Sequence, residues 1–141
     1  MKGLGGFVAG LVALVLAAVS VSGLEQACPA IGWGSQLFVE LAVDRPTARA
    51  VQVECPAPCG LPVPMPEPGA PEPTGPESAT VELTGSTATV SFVLGAPDLI
   101  TLRVLDGGGA VLTAAEVDLD WIRVGGTVEC GGPHEAQVTI R

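Results

Sequence analysis

Thr87-Ala88-Thr89-Val90-Ser91-Phe92 alternates small polar with apolar side chains, residue by residue. Successive side chains of a pleated strand point to opposite faces, so this stretch reads as a strand with one face in a core and the other in water. Leu94 continues its apolar side. The same alternation recurs in both directions along the chain. Upstream, Leu37, Val39, Leu41 and Val43 alternate with Gln36, Glu40 and Asp44, and Val51, Val53 and Cys55 alternate with Gln52 and Glu54. Val81 and Leu83 form a shorter run just before the opening stretch. Downstream, Ile100, Leu102 and Val104 flank Thr101 and Arg103, Val117, Leu119 and Trp121 flank Glu116, Asp118 and Asp120, and Val138 with Ile140 closes the chain.

No segment after residue 23 holds a helical period. Thr84-Gly85-Ser86-Thr87 and Asp106-Gly107-Gly108-Gly109 are Gly-bearing links between alternating runs and read as β-hairpin turns. About seven short strands joined in this way predict an all-β fold, an immunoglobulin-like β-sandwich, with a small barrel as the competing closure.

The first 23 residues read differently. Met1, Lys2 and Gly3 lead into Phe7 to Val21, a run of small and apolar residues without a charge. A basic start, an apolar helix and small residues at Val21 and Gly23 make a signal peptide with cleavage before Leu24. No basic stop-transfer cluster follows, so membrane contact is expected only through that segment. Cleavage leaves residues 24–141, about 118 residues, the size of one domain with one core. The formal net charge is −9, and about −10 without Lys2. Arg45, Arg49, Arg103, Arg123 and Arg141 are scattered among fifteen carboxylates. A phosphate backbone needs clustered cations, so this balance excludes nucleic acid as a partner, and it opposes an anionic membrane surface.

Residues 56–78 interrupt the strand pattern with nine of the chain's thirteen prolines. Proline cannot donate to a ladder, and the spacing of Pro62, Pro64, Pro66 and Pro68 favours extended polyproline II. The segment reads as a stiff surface loop between the second and third strands. A preorganised loop of this kind is also what a hydrolase inhibitor would present, although nothing in it names a target.

Cys28, Cys55, Cys59 and Cys130 are an even set in an exported chain, which points to disulfides. If the strands meander, the first and last run the same way and all four cysteines fall at one end of the sandwich. The pairing adopted is Cys28 with Cys130, tying the chain termini together, and Cys55 with Cys59 across a Pro-containing turn. Cys55 with Cys130 and Cys28 with Cys59 would instead make a cross-sheet bridge. A third use of the sulfurs is a tetrahedral zinc site of Cys55, Cys59, Cys130 and His134, which would leave Cys28 over.

Other chemistry is sparse. His134 is the single histidine, it follows a Gly131-Gly132-Pro133 turn, and no nucleophile motif accompanies it. Glu116, Asp118 and Asp120 could share one strand face and attract calcium, but they lack the oxygen-rich loop such sites use. No cofactor signature is present. Trp33, between Gly32 and Gly34, and Trp121 read as core or capping aromatics.

Cys28-Pro29-Ala30-Ile31-Gly32-Trp33, the two downstream cysteines Cys55 and Cys59, the Cys130-Gly131-Gly132-Pro133 turn and the final Val138-Thr139-Ile140 resemble uncharacterised secreted or lipid-anchored proteins of high-GC Gram-positive bacteria. The resemblance implies a β-sandwich module of the cell envelope with no assigned activity. It raises lipidation of Cys28, where Ala27 fits a lipobox, but Glu25 and Gln26 stand where small or apolar residues belong. The expectation is therefore an exported, non-enzymatic binding or structural module, with a protein or envelope component as partner and no lipid anchor.

Overall fold

The structure, a computed structural model, describes residues 28, 32–42, 45–62, 69, 75–93 and 95–141. The signal segment, the strand positions expected for Val43, Asp44 and Leu94, and the middle of the proline-rich segment lie outside the described residues.

Alternating sequence becomes alternating burial. The strands are β1 (Gly34–Leu41), β2 (Ala48–Cys55), β3 (Glu77–Glu82), β4 (Thr87–Val93), β5 (Leu99–Asp106), β6 (Val111–Asp118), β7 (Ile122–Arg123) and β8 (His134–Ile140). In β1 and β4 every second residue is buried and its neighbour exposed, the pattern expected when one face of a sheet packs and the other is wetted. No helix occurs among the described residues.

Two sheets of four strands face each other, ordered β4-β1-β8-β7 and β3-β2-β5-β6, so the fold is an eight-stranded β-sandwich. Leu37, Val39, Val90 and Phe92 from the first sheet meet Val51, Val53, Ile100, Leu102 and Val104 from the second, each at most 1 % exposed. At roughly 25 cal/mol per Å² of apolar surface, burying each such side chain is worth about 1.5–3 kcal/mol, and this core is what holds the sheets together.

The chain does not meander. It passes between the sheets four times, at β1–β2, β3–β4, β4–β5 and β6–β7. The Thr84–Thr87 turn is therefore a crossing and not a hairpin within one sheet. Its ends still exchange hydrogen bonds, Thr84 N to Thr87 O at 2.8 Å and Thr87 N to Thr84 O at 3.2 Å. Such local closure is what the sequence signals, and it is blind to the sheet in which the next strand lands. The Asp106–Gly109 turn does join two neighbours, β5 and β6, with Asp106 Oδ1 accepting from Gly108 N and Ala110 N at 2.8 and 2.9 Å.

The first and last long strands lie side by side and run the same way, Leu37 beside Ala136 and Val39 beside Val138. The bounds of β6 and β3 differ from the sequence reading, β6 beginning already at Val111. β6 ends at Asp118, so Leu119 and Trp121 sit beyond it, where Leu119 N donates to Asp98 O at 2.7 Å and Trp121 Nε1 to Pro97 O at 2.8 Å. β3 begins at Glu77, inside the stretch assigned to the loop.

Candidate functional site

One end of the sandwich collects the residues with chemical character. Gly34, at the start of β1, pairs with Val93 at the end of β4, and β8 starts alongside β1. Val93 N in turn donates to Gly60 O, just past the end of β2, at 2.6 Å. Those pairings put the segments carrying Cys28, Cys55, Cys59 and Cys130 at the same end. There Cys28 is bonded to Cys130 with Cα atoms 5.1 Å apart, and Cys55 to Cys59 with Cα atoms 6.1 Å apart. Neither Cys55, Cys59 nor Cys130 offers a thiolate in this form, and among the described residues no group of three or more His, Cys, Asp and Glu side chains could hold a metal. Asp120 lies beyond the end of β6 and so does not continue the face carrying Glu116 and Asp118. The Cys28 sulfur is likewise not free for acylation.

Each bridge fixes a loop. Beside Cys28–Cys130, the Trp33 indole donates from Nε1 to Cys130 O at 3.3 Å, and Cys130 N donates to Thr127 Oγ1 at 3.1 Å. Val124 N to Pro133 O and Thr127 N to Gly131 O, both 2.9 Å, close the β7–β8 hairpin. Gly126, at φ +71°, and Gly132 let its two limbs touch backbone to backbone, since a Cβ on either would overlap the facing carbonyl.

The second bridge is held by a residue that the sequence did not single out. Glu77 Oε2 accepts from three consecutive amides, Cys59 N, Gly60 N and Leu61 N, at 3.2, 3.1 and 3.2 Å. It also lies 3.1 Å from Cys59 Sγ, which in a disulfide has no proton to give. One carboxylate thereby ties the start of the proline-rich segment to the first residue of β3. Cys59 and Leu61, each 4 % exposed, belong to the core, so the opening of that segment is structural and not a surface spacer. Glu77→Ala strands three amides, and the expected loss is about 2–3 kcal/mol, against about 1 kcal/mol for Glu77→Gln, which keeps an acceptor. Urea denaturation of the two variants checks this order, and equal losses would show that the oxygen is not what matters.

Among the described residues three clefts open at this end, one of them, about 290 Å³, lying between Pro56, Pro58 and Cys59 on one side and Gly95 to Leu99 on the other. The largest, about 490 Å³, has Pro56, Ala57, Gly75 and Pro76 from the two limbs of the proline-rich segment on one side and Leu99 and Thr101 of β5 on the other. Glu54, Thr101 and Glu116 occupy one row across β2, β5 and β6 along its polar side. Arg103 Nη1 donates to Glu54 Oε2 at 2.8 Å, a half-exposed ion pair worth at most about 1 kcal/mol, whereas Glu116 makes no ion pair with a described residue. Apolar walls with carboxylates at the polar side suit a ligand that combines apolar surface with a cationic or hydrogen-donating group.

Another cleft, about 310 Å³, brings His134 together with Trp33 and Ser35. Ser35 is 4 % exposed, and it and His134 stand one residue before the first registered β1–β8 pair, Gln36 beside Glu135. Among the described residues no carboxylate lines that cleft, so a serine–histidine–acid triad is not assembled there by those residues.

No family model, curated protein or solved structure matches this chain.

Of the residues singled out by sequence, the structure gathers the four cysteines, Trp33 and His134 at one end. It adds Glu77, Leu99, Thr101 and the Glu54–Arg103 pair, none of which carries a local motif. Arg103 could have been matched to Glu54 only by knowing that β2 and β5 are neighbours.

Proposed function

We propose that this protein is an exported, non-enzymatic module of the cell envelope or extracellular space that binds a partner at the cystine-stapled end of its sandwich. The reading rests on one observation: the Cys55–Cys59 bridge and its Glu77 anchor fix the turn that supplies the proline wall of the largest cleft. Disulfides are typical of proteins outside the cytoplasm, where they persist without reduction. A wall fixed before binding loses little conformational freedom on contact, which favours recognition. The carboxylates on the polar side select for apolar groups carrying positive charge or hydrogen-bond donors, such as a basic peptide segment or an amino-bearing envelope component.

Leu99 is 42 % exposed on the cleft wall and stands opposite Asp118, so Leu99→Asp sets carboxylate against carboxylate and is expected to lower the melting temperature by no more than about 5 °C, leaving the domain folded. The same variant should lower retention on purified cell-envelope fragments several-fold. Retention equal to the parent protein would remove the cleft from the proposal. Recovery of the full-length chain from the cytoplasmic fraction with titratable thiols would remove export.

A further inference from the structure

Sheet edges are where this fold is unfinished. β7 spans two residues and pairs only with Glu135 and His134, so the flank of β8 from Ala136 onward has no strand beside it among the described residues. The first sheet thus stops short opposite β6. On the central strands β2 and β5 the inward residues Val51, Val53, Leu102 and Val104 are at most 1 % exposed, but Thr113, Ala115 and Val117 of β6 remain half-buried. Val111 and Leu112, at 53 % and 38 %, are exposed outright. Among the described residues β6 therefore combines uncovered apolar surface with a row of backbone donors and acceptors that no strand pairs.

Edge strands are usually protected by Pro, Lys, bulges or inward-pointing charge. β6 has no Pro, Lys or Arg, and its bulge sits at Leu112, where Val104 pairs with Thr113 but Leu105 with Val111. From Thr113 to Asp118 the strand is regular. The other edges are less suited to a partner. β4 has already sealed its inward residues, Ala88, Val90 and Phe92, at 4 % or less. β3 carries Glu77 and Glu82 at its two ends, so antiparallel pairing with itself over its full length would set carboxylate against carboxylate.

We infer that β6 is a self-association edge, pairing antiparallel with β6 of a second copy to make one continuous eight-stranded sheet. A two-fold axis through Ala115 sets Thr113 against Val117 of the second copy and Ala114 against Glu116 of the second copy. Inward residues then meet inward residues, as a continuous face requires. No acid directly faces an acid in this register, and Glu116 of each copy lies only diagonal to Glu116 of the other, roughly 7–8 Å away, where salt near 0.15 M screens much of the repulsion. The half-covered Val117 of each copy gains a neighbour.

Ala114 is exposed in the single chain, so substitutions there test the pairing without disturbing the core. Sedimentation velocity over a concentration series in about 0.15 M salt, where charges more than about 8 Å apart are screened, should show a monomer–dimer equilibrium for the parent protein. Ala114→Glu places a carboxylate against Glu116 of the second copy, twice by symmetry, and should weaken the dimer about ten-fold. Ala114→Lys places an ammonium there and should tighten it by a similar factor, while the melting temperature of the dilute monomer moves slightly the other way, up for Glu and down for Lys, because Arg103 of the same chain stands opposite position 114. A parent protein that stays monomeric to millimolar concentration, or a dimer that the two substitutions shift in the same direction or not at all, would overturn the inference.

Discussion

Replacing Cys28 and Cys130 together by alanine is expected to lower stability by about 5 kcal/mol and the melting temperature by roughly 15 °C. The bridge spans a sequence separation of 102, and in the chain-entropy account that loop is the freedom an unfolded chain regains when the link is cut. Opening Cys55–Cys59, separated by 4, should cost only about 2 kcal/mol on the same account. Guanidinium denaturation separates this mechanism from loss of native contacts. If the unfolded chain is what changes, the slope of free energy against denaturant rises as the released chain exposes more surface. A drop in midpoint with an unchanged slope would place the effect in the folded state, at the Trp33–Cys130 contact and the β1–β8 pairing beside it.

Phe92→Ala is the second large effect, with an expected loss of about 3–5 kcal/mol. Phe92 is 0 % exposed and its ring meets Trp121 edge to face, with centroids 5.7 Å apart at 87°. Removing the ring leaves a void between two sheets that cannot close without breaking the β1–β4 register on one side and the Trp121 Nε1–Pro97 hydrogen bond on the other. The loss is a large part of the roughly 5–15 kcal/mol that a domain has in total. Near-ultraviolet circular dichroism reports it directly, because the Trp121 band depends on the ring it packs against. Phe92→Leu, which fills most of the volume, should recover more than half of the stability. A Phe92→Ala protein within about 1 kcal/mol of the parent would mean that the core collapses around the gap.

Neither variant touches the proposed cleft or the β6 edge, so fold and function can be tested apart. Leu99→Asp and the two Ala114 substitutions alter exposed positions, whereas Cys28, Cys130 and Phe92 act through the unfolded chain or the core.

Where alternation of side chains was strong, the strands were legible. Leu37, Val39, Val51, Val53, Val90, Phe92, Ile100, Leu102 and Val104 all face the core, because both sheets bury one side fully and a one-residue slip would turn every one of them into water. Where a strand lies half-covered at an edge, the pattern fades. Val111 to Ala115 of β6 has no strict alternation, since neither face is sealed, and the periodic stretch from Glu116 to Trp121 points to a strand that starts later than β6 does at Val111. β7, with two residues, is too short to have a period at all.

The sequence by itself determined an all-β domain, the inward residues of the central strands and an even set of cysteines, because each follows from neighbours along the backbone. Only the tertiary structure decided which sheet each strand joins, that Glu77 anchors the Cys55–Cys59 turn, that Leu61 enters the core, and that the cleft and the open β6 edge exist. Those features are contacts between residues distant in the chain, and local periodicity carries no information about which strand will be the neighbour.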